Sequence, residues 1–185
     1  MAYKLFDASG KEIFQKDLQA KAPWCVTGEV FEKVFIEKYG RKFSLDINPE
    51  KLTNKYAPDL INTSTSNLGD LKTQNTPFFL AWSKYGLDPQ YTVTFNVKDY
   101  LRYLKYHPTI EIYFWVSWVA VKFQGTRDIT VRPMEGVWGI RFPKLIQLVN
   151  TAPRHPYIQR YNDNSGNAKD SFLLDLNSIG FKQIA

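Results

Sequence analysis

Two acidic residues and one lysine in the first half of the chain have the types and spacing of a hydrolytic site. Asp59 stands just before one apolar stretch, and Asp70 and Lys72 are two residues apart in the next one. If both stretches are strands, Asp70 and Lys72 project from the same face, because side chains alternate along a strand. A hairpin between the two stretches would bring Asp59 alongside them.

Such a cluster suits metal-assisted hydrolysis of a phosphodiester bond. Two neighbouring carboxylates repel each other unless a cation lies between them, and hard oxygen ligands favour Mg²⁺ or Mn²⁺. A bound metal lowers the pKa of its water and stabilises the charge that develops on a phosphate. The lysine could orient or deprotonate that water, or neutralise the phosphate. The alternative is a polar hairpin whose surface Asp–Lys pair contributes little.

The segments Pro58-Asp59 and Asp70-Leu71-Lys72, with ten residues between them, resemble the signature of the PD-(D/E)xK nuclease superfamily. The resemblance implies a restriction-endonuclease-like core in which Asp59 and Asp70 hold the metal and Lys72 serves the attacking water. It also implies that the backbone carbonyl of Leu71 is a metal ligand. Thr73 and Gln74 resemble the polar residues that follow the lysine in the exonuclease and recombination branches, and we expect Gln74 to orient the site.

A helix upstream of the hairpin supplies a third candidate acid. The pattern predicts a helix over residues 27–39, with Thr27 as N-cap and Gly40 as its end. Glu32 lies within the apolar stripe, where a carboxylate needs a cation or a hydrogen-bond partner. Gly28, Glu32 and Gly40 have a spacing similar to that of the first helix of the Holliday-junction resolvase branch, where such a glutamate completes the metal site.

Glu29 is the rival of Glu32 for this role. It stands nearer the predicted helix start, where a carboxylate complements the helix macrodipole without any catalytic role. The resemblance to the nuclease superfamily covers residues 27–75 of the chain.

Length and composition predict a single domain over residues 1–185, with its motif-bearing core in residues 27–75. No apolar run approaches the roughly 18 residues of a membrane span, and the N-terminus lacks the form of a signal peptide. A single cysteine, Cys25, excludes an internal disulfide framework and suits a reducing compartment. We therefore expect a cytoplasmic protein without a membrane partner, of a size typical of phage or mobile-element enzymes.

The positive charge is concentrated in the second half of the chain. The net charge is +6, and residues 91–185 hold 12 Lys and Arg against 7 Asp and Glu. A basic half suits contact with a DNA backbone; the alternative is a charge that only aids solubility. Arg154, Arg160 and Lys169 surround a polar loop and are the candidate phosphate-binding residues, although the loop is equally compatible with a solvated hairpin tip.

Further elements follow from hydrophobic periodicity and turn residues. We predict an N-terminal hairpin over residues 3–14, strands over 41–47, 91–97, 110–123, 130–137, 157–161 and 171–176, and helices over 99–106 and 141–149. The fold class is therefore α/β, with a central mixed β-sheet flanked by helices.

The function predicted from these features is Mg²⁺- or Mn²⁺-dependent DNA cleavage, with an endonuclease favoured. Asp59, Asp70 and Glu32 are the expected metal ligands, and DNA is the expected partner of a chain compatible with a homodimer. A non-catalytic nucleic-acid-binding protein on the same fold is the alternative. A structural or assembly protein with a coincidental motif is the third hypothesis, and it predicts no affinity for nucleic acid.

Overall fold

The computed structural model of the chain describes residues 3–13, 21–156 and 170–185, which form three sheets and several helices. The strands are β1 (Lys4–Phe6), β2 (Glu12–Ile13), β3 (Leu45–Ile47), β4 (Leu60–Asn62), β5 (Leu68–Gln74), β6 (Thr92–Asn96), β7 (Glu111–Ser117), β8 (Lys122–Gln124), β9 (Ile129–Thr130), β10 (Glu135–Arg141), β11 (Arg154–His155), β12 (Ser171–Asp175) and β13 (Lys182–Gln183). The α-helices are α1 (Lys21–Phe35), α2 (Arg41–Phe43), α3 (Ala81–Tyr85), α4 (Val97–Tyr106) and α5 (Phe142–Val149).

The central sheet has six strands in the order β13-β10-β7-β5-β4-β3. Strands β3, β4 and β5 form an antiparallel meander, whereas β5 and β7 are parallel. The remaining pairs, β7 with β10 and β10 with β13, are antiparallel. The predicted α/β class with a mixed sheet is confirmed. A four-stranded sheet, β2-β1-β8-β9, and a three-stranded sheet, β11-β12-β6, accompany it.

The two faces of the central sheet bury different cores. On one face, Phe35 of α1 packs with Leu71 and Tyr113; on the other, Tyr103 of α4 packs with Phe114 and its neighbours. Side chains alternate between the faces along each strand. Strand β5 therefore presents Leu71 to the α1 face, and it presents the residues on either side of Leu71 to the α4 face.

The first helix is longer than its sequence pattern predicts. It begins at Lys21, so Thr27 is inside the helix and the predicted N-cap is wrong. A π-helical turn over Ile36–Gly40 continues into α2, and the helical path ends only at Ser44, which has a φ of 54°. Gly40 therefore does not end the helix. Instead it permits close packing, because a Cβ there would lie 2.8 Å from the Leu45 carbonyl oxygen.

Three predicted strands differ from the observed ones, one in length and two because the chain changes strand within them. The strand predicted over residues 41–47 contains only β3, because its first residues are helical. The apolar run over residues 110–123 is divided between β7 and β8, which belong to different sheets. The strand predicted over 130–137 is likewise divided, between β9 and β10. Apolar composition identifies buried chain, but it does not show where a buried chain changes sheet.

Other predicted elements are confirmed. The N-terminal hairpin pairs Leu5 with Ile13, and Gly10 supplies the positive φ of its turn. Helices α4 and α5 follow the predicted ranges closely. The strand predicted over residues 157–161 lies outside the described residues. None of the helices in the described ranges is both long and apolar enough to cross a membrane.

Candidate active site

The β4–β5 hairpin positions the motif residues. Its turn is closed by a hydrogen bond from the Asn62 N–H to the carbonyl of Asn67, at 2.8 Å, and the Asn62 side chain accepts two backbone N–H groups of the turn. Antiparallel pairing places Leu60 opposite Gly69. Asp59, directly before β4, therefore comes beside the motif residues of β5, as the hairpin prediction requires.

Asp59 is joined directly to the centre of the Asp70-Leu71-Lys72 segment. Its Oδ2 accepts a hydrogen bond from the Leu71 N–H at 3.1 Å. This bond uses the one backbone donor that lies between the second acid and the lysine. Asp59 and Asp70 are close enough that the charge of Asp59 contributes to raising the pKa of Asp70.

Asp70 and Lys72 project together, as their two-residue spacing predicts. The Lys72 ammonium lies 2.8 Å from Asp70 Oδ2 and 2.6 Å from Asp99 Oδ2, so a cation stands between two carboxylates. The Tyr103 hydroxyl donates to Asp70 Oδ1. We call Asp70, Lys72 and Asp99 the Lys72 cluster. It lies on the α4 face of the sheet.

A second cation lies between carboxylates at Lys51. Its ammonium is 2.5 Å from Glu32 Oε2 and 2.7 Å from Asp59 Oδ1. Glu32 comes from α1 and Lys51 comes from a 3₁₀ turn, Pro49–Leu52, that follows β3. We call Glu32, Lys51 and Asp59 the Lys51 cluster. Because Asp59 also binds the Leu71 N–H, the two clusters meet at the β4–β5 pair.

Asn48 fixes the turn that carries Lys51. Its Oδ1 accepts from the Glu50 N–H at 3.1 Å, and its Nδ2 donates to the Pro58 carbonyl at 3.0 Å. The Asn48 N–H also donates to the Asp59 carbonyl, at 2.9 Å. Asn48 is buried, so these bonds hold the lysine turn against the Pro58-Asp59 segment in a fixed position.

The electrostatics of the Lys72 cluster follow from burial and from mutual charge. Burial raises the pKa of Asp70, and this effect outweighs the lowering by the Lys72 ammonium. The pKa of Lys72 is raised well above its ordinary value because the neighbouring carboxylates, Asp70 first, outweigh the opposing effect of burial. Lys72 is therefore protonated at neutral pH. The pKa of Lys51 is also raised: burial lowers it, but the charges and hydrogen bonds of Asp59 and Glu32 prevail.

The remaining predicted site residues lie in different surroundings. Glu29 is exposed on α1 and is not part of either cluster. The Gln74 amide accepts from the Thr94 N–H at 3.0 Å and donates to the Thr76 carbonyl at 3.2 Å. Gln74 therefore braces β5 against β6, and in the described part of the chain no hydrogen bond joins it to the carboxylates.

The predicted DNA-binding residues are only partly described. Arg154 forms an exposed ion pair with Asp170, at 2.5 Å. Arg160 and Lys169 lie outside the described residues. His155, next to Arg154, has its Nδ1 2.7 Å from the Tyr85 hydroxyl, which joins β11 to α3.

Four residues of the site were not identified from the sequence: Asn48, Lys51, Asp99 and Tyr103. Asp99 and Tyr103 are four residues apart on α4 and so share a helix face, and Arg102 donates to the Tyr103 hydroxyl at 2.6 Å. This spacing could have indicated the site, because a carboxylate and a tyrosine on one face of a helix can both contact a charged pair on a neighbouring strand. No comparable signal marks Lys51, which is brought to Asp59 only by tertiary structure.

The oxygen donors of the two clusters have the chemistry that Mg²⁺ and Mn²⁺ require. In the ranges that the structure describes, no three acidic, histidine or cysteine side chains already converge as a metal-ligand set. Instead, each pair of carboxylates is bridged by an ammonium group, which supplies the positive charge that such a pair needs. The oxygen donors match a divalent cation in chemical type, but within the described residues a lysine supplies the positive charge between each pair of carboxylates.

Comparison of the chain with protein-family models, with curated proteins and with solved structures found no match. Function must therefore be inferred from the geometry and electrostatics of the site itself.

Proposed function

We propose that this chain is a Mg²⁺- or Mn²⁺-dependent deoxyribonuclease, most simply an endonuclease, built on a restriction-endonuclease-like core. The observation that carries the proposal is the hydrogen bond from the Leu71 N–H to Asp59, at 3.1 Å. It joins the acid before β4 to the middle of the acid-x-lysine motif on β5. The mixed sheet, and the helix that brings Glu32 to Asp59 through Lys51, give further support.

In this proposal, the carboxylates of Asp59, Asp70 and Glu32, with the Leu71 carbonyl, would hold the metal. A bound divalent cation would supply an acidic water and positive charge beside the scissile phosphate. Lys72, whose raised pKa keeps it protonated, orients the attacking water and neutralises charge on the phosphate. A protonated Lys72 therefore does not accept the proton of the attacking water. Asp99 and Tyr103 position Lys72 and Asp70.

A non-catalytic DNA-binding protein is the second candidate function. It is favoured by one observation: both carboxylate pairs are already neutralised by lysines. Such a protein would use the basic half of the chain to bind DNA and would need no metal. It predicts binding that weakens with salt and that survives the loss of Lys72.

Cleavage of a panel of DNAs separates the two functions. Single-stranded, duplex and branched DNAs would be incubated with wild type, Lys72→Met and Asp59→Asn, in Mg²⁺, in Mn²⁺ or in a chelator. The nuclease proposal predicts metal-dependent cutting that both variants lose while thermal unfolding shows them folded. Binding without cutting on every substrate would contradict it and support the DNA-binding protein. If neither cleavage nor DNA binding were observed, a structural or assembly role would be the remaining hypothesis.

A further inference from the structure

A cleft of about 510 Å³ lies away from both lysine clusters, between α3 and the β9 region. Its walls come from three segments: the start of α3, the loop before β6, and residues 127–132 around β9. None of the predicted site residues lines it. The proposed cleavage chemistry therefore does not account for this cleft.

Trp82 forms one wall of the cleft and is 68% exposed. By contrast, the tryptophans Trp118 and Trp138 are almost completely buried in the core. A large aromatic ring left in water beside a concave surface contributes little to folding. Its flat face is available for stacking on another π system.

The lining of the cleft carries two arginines and two aspartates, and a neighbouring lysine pairs with one of the aspartates. Of the two carboxylates in its lining, Asp88 accepts from the Gln90 N–H at 2.8 Å, and Asp128 pairs with Lys122 at 3.2 Å. Arg127 and Arg132 are exposed, and within the described ranges neither guanidinium forms an ion pair with a carboxylate. The Arg132 guanidinium donates to the Tyr91 hydroxyl at 3.4 Å. Arg127 and Arg132 belong to the lining together with the indole of Trp82, and with Lys122 included the positive charges around the cleft exceed the negative charges by one.

The cleft is held in shape by a buried amide. Gln90 Oε1 accepts from the Arg132 N–H at 2.7 Å, and Gln90 Nε2 donates to the Arg132 carbonyl at 3.2 Å. The Gln90 carbonyl in turn accepts from the Trp118 indole N–H at 3.0 Å. The backbone of Arg132 is therefore fixed to the core, so a ligand would meet a preformed surface.

We propose that this cleft binds an unpaired nucleotide of a DNA strand, with the base stacked on Trp82 and phosphates beside Arg127 and Arg132. An aromatic platform bordered by cations is the arrangement that binds single strands without sequence preference. The inference rests on the proposed nuclease function and adds to it a substrate class, DNA with a single-stranded segment. Because none of the lining residues belongs to either lysine cluster, the cleft would bind a part of the DNA strand other than the cleaved bond.

The test compares Trp82→Ala with Tyr106→Ala. Tyr106 is a matched control, since it is 61% exposed and has a lysine ammonium 4.7 Å from its ring centroid. Fluorescence anisotropy would measure binding of a labelled single-stranded oligonucleotide and of the blunt duplex of the same sequence, in chelator to prevent cutting. Both substitutions are on the surface, and unchanged thermal unfolding would show that the fold is kept.

We expect Trp82→Ala to weaken single-strand binding about tenfold, the loss of roughly one stacked base, and to leave duplex binding unchanged. Trp82→Phe should recover part of the loss, and Tyr106→Ala should have no effect. Arg127→Gln should weaken binding and reduce its salt dependence by about one phosphate contact.

Equal binding by Trp82→Ala and Tyr106→Ala would overturn the inference, as would the absence of single-strand binding by wild type. Metal-dependent cutting by wild type together with unaffected binding by Trp82→Ala would contradict nucleotide binding in the cleft but not the nuclease function. Weakened binding by Trp82→Ala without any cutting by wild type would instead contradict the nuclease function and support nucleotide binding in the cleft.

Discussion

Each lysine cluster combines one ammonium with two carboxylates, but the surroundings of the two clusters differ. In the Lys72 cluster, the side chains of Asp70 and Lys72 are 3% and 21% exposed, and a tyrosine hydroxyl covers the acid. In the Lys51 cluster, Glu32, Lys51 and Asp59 are 14–20% exposed. Both clusters place one ammonium between two carboxylates.

The difference shows how burial decides what a cation contributes. A carboxylate deep in the core needs its counter-charge, because its own solvation has been lost. A carboxylate that water still reaches retains part of its solvation and depends less on its partner. We therefore infer that Lys72 mainly allows a buried acid to exist in that position. Lys51 holds two more accessible acids in place.

Removal of Lys72 is expected to have the largest effect on stability. Lys72→Met keeps much of the side-chain volume but leaves Asp70 and Asp99 without the cation between them, so the free energy of unfolding should fall by about 3–5 kcal/mol. Urea denaturation would measure the change. The control is Lys38→Met, because Lys38 forms an exposed pair with Glu135 and its loss should cost at most about 0.5 kcal/mol. Equal effects of the two substitutions would contradict the role of burial.

Removal of Lys51 should have an intermediate effect. Lys51→Met leaves Glu32 and Asp59 facing each other in partial contact with water, and we expect a loss of about 1–2 kcal/mol. The same denaturation experiment measures it. A loss as large as that of Lys72→Met would show that the two clusters are equally desolvated and would contradict the difference in burial between them.

The Tyr103 hydroxyl should contribute about as much as a single buried hydrogen bond. Tyr103→Phe removes the donor to Asp70 Oδ1, which should cost about 1–2 kcal/mol because Oδ1 loses a partner in a buried site. The variant should also raise the pKa of Asp70 further, since the ionised carboxylate loses a hydrogen bond. Tyr100→Phe, on the same helix, is the control; an equal loss there would assign the effect to packing.

The pH dependence of stability should report on Asp70. Because its pKa is raised above the ordinary 3.8 in the folded state, the native protein binds this proton more tightly than the unfolded chain. Its contribution to stability is therefore present at low pH and is lost as pH rises through the raised pKa. Measured in chelator, wild type should lose stability relative to Asp70→Asn as pH rises above about 4. A constant difference between the two proteins would contradict the raised pKa.

Part of this site could be predicted from the sequence because its geometry is local. Asp70 and Lys72 share a face through the two-residue period of a strand, and the polar turn predicts the hairpin that brings Asp59 beside them. Glu32 stands out as an acid in an apolar helix stripe. These signals depend on spacing within one element or between two adjacent ones.

The rest of the site depends on contacts that are distant in sequence. Lys51 contacts Asp59 because Asn48 fixes a 3₁₀ turn against Pro58. Hydrophobic periodicity along the sequence does not predict such a contact. Asp99 and Tyr103 meet β5 because α4 packs on the face opposite α1. The division of residues 110–123 between two sheets was missed for a related reason, since apolar composition is the same on both sides of the break.

A metal titration tests the central claim most directly. If the two clusters form one metal site, Mn²⁺ at about 100 times its dissociation constant should stabilise the folded chain by about 2.7 kcal/mol, a rise in the melting temperature of roughly 5–10 °C. Asp59→Asn and Asp70→Asn should both abolish the rise, although they belong to different clusters. Asp46→Asn, an exposed acid on neighbouring β3, should retain it. A melting temperature that does not respond to metal, or that responds equally in all four proteins, would contradict the proposed site.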